Sequence, residues 1–132
     1  MTDLVFFYGT LMSGFKRDRT RVELALEPVG YGSIQAVLFD IGIYPAAIPA
    51  PGSRVQGEVH RMLVPETVLP ALDEIEGYRH DKPDASLYVR SEAPVRLDDG
   101  REERAWVYFY NAPLGGAQQI QSGDYLEHLR MK

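Results

Sequence analysis

The chain has no cysteine among its 132 residues, which removes disulfides, thiolate nucleophiles and cysteine-ligated zinc together. Its three histidines, His60, His80 and His128, fall in a strand-like run, a charged loop and the C-terminal segment, without metal-ligand spacing. No long phosphate-binding glycine loop occurs. Positive charge is in the minority. With 14 Lys and Arg against 19 Asp and Glu, the formal net charge is −5, which argues against non-specific binding to nucleic acid or anionic membranes. Nothing at the N-terminus joins a basic segment to an apolar run, because Met1-Thr2-Asp3 leads directly into hydrophobic residues. These absences set the expectation of one cytoplasmic domain over residues 1–132, with a small-molecule partner and neither cofactor nor metal.

What is present fits a soluble globular composition, 45% hydrophobic and 25% charged. The first informative stretch is Phe6-Phe7-Tyr8-Gly9-Thr10-Leu11. Leu4 to Tyr8 reads as a buried strand that stops at Gly9. A glycine there lets the backbone approach a ligand, and N–H groups turning out of a strand end form a concavity suited to an anion such as a carboxylate. A simple turn is the competing explanation.

Met12 to Arg21 is polar and basic, read as a mobile connection with a solvated face; Val22 to Leu26 has weak helical spacing. Gly30 to Asp40 alternates as a strand, with glycines that suggest a bulge. Gly42 to Gly52 holds three prolines and two glycines in a largely apolar setting, which predicts a stiff packed loop in which Tyr44 lines a cavity or simply a connection. Arg54 to Leu63 alternates again, and His60 on its more polar parity is expected to be exposed or hydrogen-bonded.

Pro65 to Glu76 has helical spacing through Val68, Leu69, Leu72 and Ile75, with Gly77 as the stop. Pro70 predicts that the regular part starts near Thr67. Leu87 to Leu97 and Glu103 to Asn111 read as two strands joined by Asp98-Asp99-Gly100, the second buried on both faces. Ala112 to Gly123 reads as a flexible turn, and Tyr125, Leu126 and Leu129 as one docking helical turn.

With cysteine and metal chemistry removed, carboxylates remain as acid–base reagents. Asp73, Glu74 and Glu76 gather at a helix C-terminus, where the backbone already carries partial negative charge. Carboxylates so placed tend to hold their protons more tightly, and burial strengthens the tendency, which suits a group that must both accept and donate one. A solvated acidic helix end is the alternative.

Together, Tyr8-Gly9-Thr10-Leu11, Gly42-Ile43-Tyr44-Pro45, Leu72-Asp73 with Glu76-Gly77, and Leu87-Tyr88-Val89-Arg90 resemble the gamma-glutamylcyclotransferase-like superfamily, in its AIG2-like and gamma-glutamylamine cyclotransferase branches. The resemblance runs from Leu4 to about Asn111 and implies an α+β fold, a small mixed β-barrel with peripheral helices and a cavity at one end. It implies Glu76 as general acid/base, the backbone of Tyr8, Gly9, Thr10 and Leu11 as the holder of a substrate's α-carboxylate and amine region, and Tyr88 as a cavity wall. The implied reaction closes a γ-glutamyl amide into 5-oxoproline with release of an amine. A non-catalytic module binding an amino-acid-like ligand, and an interaction domain using Tyr44 to Pro51, are the alternatives.

Overall fold

The structure, a computed structural model, describes residues 2–9, 25–42 and 44–131. Thr10, Leu11, Ile43 and the basic Met12–Arg21 segment lie outside those residues. Strand β1 (Leu4–Phe7) is wholly buried, as its unbroken apolar run requires. Strand β2 (Leu26–Asp40) and strand β3 (Pro45–Met62) form a long antiparallel hairpin, paired from Leu26 with Met62 to Asp40 with Pro45. After helix α1 (Pro65–Glu76), a second hairpin joins β4 (Tyr88–Leu97) to β5 (Glu102–Tyr110). A short β6 (Gln118–Gln119) pairs with the end of β2, and helix α2 (Tyr125–Arg130) closes the described chain.

The strand order β3-β1-β5-β4-β2, with β2 returning to β3, closes a five-stranded barrel. β1 enters it antiparallel to β3 and parallel to β5, so the sheet is mixed. The registers place Phe6, Ile34, Val55, Val59, Val95 and Val107 on one face, and all are buried within 1% of full exclusion. That face is the barrel interior. Phe6 crosses directly over Gly57, where a Cβ would come within 2.6 Å of the Phe6 ring; a larger residue would hold β1 and β3 apart.

The opposite face of β4 and β5 carries Arg90, Trp106 and Tyr108, and α1 covers it: Asp73 of the helix bonds both Arg90 and Tyr108. Helix α1 starts at Pro65, earlier than its sequence suggests, and runs through Pro70. Pro70 lies on the exposed side, where the backbone carbonyl it leaves without an N–H donor can be hydrated.

β2 begins at Leu26 rather than Gly30, with a register shift between Pro28 and Gly30 that hides the strand's first residues from any alternation rule. The proline-rich stretch is strand as well, from Pro45 onward. Its prolines are accommodated because residues 45–49 pair with β2, whereas β1 joins β3 only at Glu58 to Arg61; each proline sits where one side of the backbone needs no ladder partner. Ala50 to Ser53 bulge out between the paired residues Pro49 and Arg54. Within Ala112 to Gly123 the structure adds β6. α2 docks through Tyr125, whereas Leu126 is exposed. Its His128 Nε2 lies 2.7 Å from Asp40 Oδ2. Among the described residues, no helix is long and apolar enough to cross a membrane.

Candidate active site

The site begins where β1 ends. The Tyr8 side chain is buried, its hydroxyl donating to the backbone carbonyl of Tyr108 at 2.6 Å and accepting from Ala47 N–H at 3.4 Å. Gly9 lies against the Pro45 ring, where a Cβ would sit 2.6 Å from Cγ. The glycine is therefore demanded by internal packing, a reason distinct from the ligand approach its sequence context suggests. Tyr88, on the first residue of β4, is buried and donates its hydroxyl to the Pro45 carbonyl at 2.8 Å. Tyr44 immediately precedes Pro45 in the β2–β3 turn, where its carbonyl accepts from Ile41 N–H at 3.3 Å. The end of β1 (Tyr8 and Gly9) and Tyr88, distant in sequence, thus converge on Pro45 to Ala47, which Tyr44 directly precedes. Thr10 and Leu11 lie outside the described residues.

Glu76 is the last residue of α1 and is 8% exposed. Gly77, in the left-handed conformation at φ 74°, terminates the helix behind it, and no basic residue occupies the last turn. This is a buried carboxylate at the negative end of a helix, not the solvated acidic end that composition alone would allow. The neighbouring acids divide: Glu74 is exposed, while Asp73 is 8% exposed and engaged.

Asp73 accepts from Arg90 Nε at 2.8 Å on Oδ1 and from a terminal guanidinium nitrogen at 3.1 Å on Oδ2. Its Oδ1 also accepts the Tyr108 hydroxyl at 2.6 Å. Arg90 is held over the Trp106 ring at 4.5 Å and near the Tyr78 ring at 5.6 Å, contacts that fix a planar cation. Burial pushes the Tyr108 phenol far above its ordinary value; the hydrogen bond to Asp73 and that residue's charge add to this, and Glu76 adds further while Arg90 opposes. Tyr108, whose backbone carbonyl holds Tyr8, therefore links the α1 terminus to the end of β1.

Sequence reasoning singled out Glu76 and Tyr88 but missed Tyr108 and Arg90. The available signal was parity: Arg90 and Tyr108 are paired across β4 and β5 and share the face with Trp106. Asp73 and Arg90 also line a groove of about 590 Å³ beside α1, with Leu69, Pro70 and Tyr78; Glu76 does not line it. His60 is buried, not exposed, with Nε2 3.0 Å from Glu58 Oε1 and its ring 5.4 Å from that of Phe7, which fits a packed structural histidine.

The family model described as gamma-glutamyl cyclotransferase, AIG2-like, matches residues 5–127. A candidate gamma-glutamylcyclotransferase of Methanocaldococcus jannaschii is 30% identical over 128 residues, spanning 96% of this chain and 98% of its own. The gamma-glutamylcyclotransferase family protein YtfP of Escherichia coli is 30% identical over 124 residues, 93% of this chain and 96% of its own. The solution structure of the E. coli protein superimposes with a TM-score of 0.68 over 98% of this chain and 99% of that one. YkqA of Bacillus subtilis, 24% identical, shares the fold with a TM-score of 0.74; the match covers 99% of this chain and 42% of that protein.

Proposed function

We infer the function from one premise: the chain belongs to the gamma-glutamyl cyclotransferase, AIG2-like family. On that premise we propose that it converts a small γ-glutamyl amine or peptide into 5-oxoproline and a free amine, in the cytoplasm, with Glu76 as general acid/base. The observation that carries the reading is the burial of Glu76 at the α1 terminus, on the helix turn whose Asp73 is bonded through Tyr108 to the end of β1.

The chemistry needs no enzyme nucleophile. The Glu76 carboxylate takes a proton from the substrate's α-ammonium, and the freed amine attacks the side-chain carbonyl carbon to close a five-membered lactam. As the tetrahedral intermediate collapses, the bond from that carbon to the leaving nitrogen breaks and Glu76 returns the proton to the departing amine, which also takes up the second proton shed by the now cationic ring nitrogen and leaves as an ammonium. Holding the substrate folded for attack supplies much of the acceleration, since well-oriented intramolecular reactions gain roughly 7 to 11 kcal/mol. In this scheme the backbone from Tyr8 to Leu11 holds the α-carboxylate and amine region, and Tyr44 and Tyr88 wall the cavity.

The test is release of 5-oxoproline from a panel of γ-glutamyl amines and dipeptides by wild type and Glu76→Gln. Turnover by wild type that falls about 100- to 10,000-fold in the variant is the expected result. Equal turnover by both proteins would remove Glu76 from the chemistry. Binding of panel members without turnover by wild type would move the reading to a binding module.

A further inference from the structure

Asp73 and Glu76 stand three residues apart on the last turn of α1, both 8% exposed. Residues at this spacing are neighbours on a helix surface. A charge fixed on one of them is therefore felt by the other. Arg90 bears on this: its guanidinium bonds both oxygens of Asp73, and with only 16% of its side chain exposed it is held over Trp106. The Tyr108 hydroxyl donates to the same carboxylate at 2.6 Å.

A buried ion pair of this kind stabilises a fold weakly, because desolvating both charges offsets most of their attraction. Packing alone would be served as well by apolar residues. Placed beside an acid/base, the pair acts differently: it supplies a fixed negative charge, a fixed positive charge and an oriented hydroxyl in a water-poor environment, where each is felt strongly.

We propose that Asp73, Arg90 and Tyr108 are positioning residues that set the proton affinity of Glu76. The inference rests on reading Glu76 as the acid/base. Removing the Asp73 charge leaves the Arg90 charge at that turn of α1 unbalanced and favours the ionised form of Glu76. Removing the Arg90 charge leaves Asp73 unbalanced and favours the protonated form. Opposite displacements from the two ends of one ion pair distinguish this role from structural support, since loss of support has no reason to change sign.

The experiment is a pH titration of the Glu76 carboxyl carbon by NMR in the full chain labelled with 13C-glutamate, the resonance being assigned by its absence from Glu76→Gln. Asp73→Asn is expected to lower the Glu76 midpoint and Arg90→Met to raise it, each by about one pH unit. Arg90→Lys, which keeps the charge, should restore most of the Arg90→Met displacement. Midpoints that do not move, or that move the same way in both variants, overturn the proposal. If Arg90→Met does not fold, Tyr108→Phe replaces it with a rise expected, because Asp73 loses a donor that screens its charge. The titration uses no substrate. Opposite displacements in a protein that turns over no γ-glutamyl amide would leave the positioning cluster standing and reject the acid/base reading. Turnover that Glu76→Gln abolishes, with a midpoint indifferent to the variants, would do the reverse.

Discussion

Tyr108 shows how one side chain ties stability to the site. Its hydroxyl is buried against Asp73 and its carbonyl holds Tyr8. Burial and the hydrogen bond to Asp73 raise the folded phenol far above its ordinary value, so on alkalinisation the unfolded chain loses this proton first. The contribution is complete below about pH 10 and declines above it, by about 1.4 kcal/mol per pH unit for this one group. Tyr108→Phe should therefore be less stable than wild type at pH 7 by about 1 kcal/mol and show a flatter alkaline decline, measured by urea denaturation from pH 8 to 11. Parallel declines in the two proteins would mean that Tyr108 ionises in the folded state as readily as outside it. None of this was legible locally. Asp73 finds its partners 17 and 35 residues along the chain, and a helix-end aspartate reads the same whether it is solvated or paired.

At the scale of elements, legibility followed the number of sides on which a segment is constrained. The β4–β5 hairpin was readable because alternation and the Asp98-Asp99-Gly100 turn agree. The start of β3 was not, because proline excludes a central strand and the sequence carries no mark that residues 45–49 pair with β2 alone. α1 was readable at its C-terminus, where Gly77 adopts φ 74°. Replacing Gly77 by Ala forces a Cβ into the left-handed region and should cost about 1 kcal/mol, with Gly77→Asn milder because asparagine tolerates that conformation. The space is open, the nearest atom to an added Cβ being Leu87 Cβ at 3.9 Å, so the loss reports backbone conformation rather than a clash. Urea midpoints of the two variants check the ranking; an Ala variant as stable as wild type would show that the αL cap does not hold the helix end. Because Glu76 directly precedes this glycine, turnover should fall with the cap.

At the scale of the molecule, the barrel converts sequence distance into proximity. β1 brings Tyr8 and Gly9 to the start of β3, β4 brings Tyr88 to the same backbone, and α1 lies across β4 and β5 so that its last turn meets Tyr108. The overall barrel was legible through the resemblance of four short motifs; its closure and register were not, since these depend on the pairings of β2 with both β3 and β4. The fold supplies a rigid frame around a carboxylate and offers the reaction no nucleophile of its own among cysteines, which are absent. Intramolecular attack and hydrolysis by an activated water would both break the γ-glutamyl amide, and they differ in where oxygen comes from. The most direct measurement is turnover of a γ-glutamyl amine in H2-18O with both products followed by mass spectrometry. Attack by the substrate's own amine predicts 5-oxoproline without the heavy isotope, formed in equal amount with the free amine; 18O-labelled glutamate would contradict it.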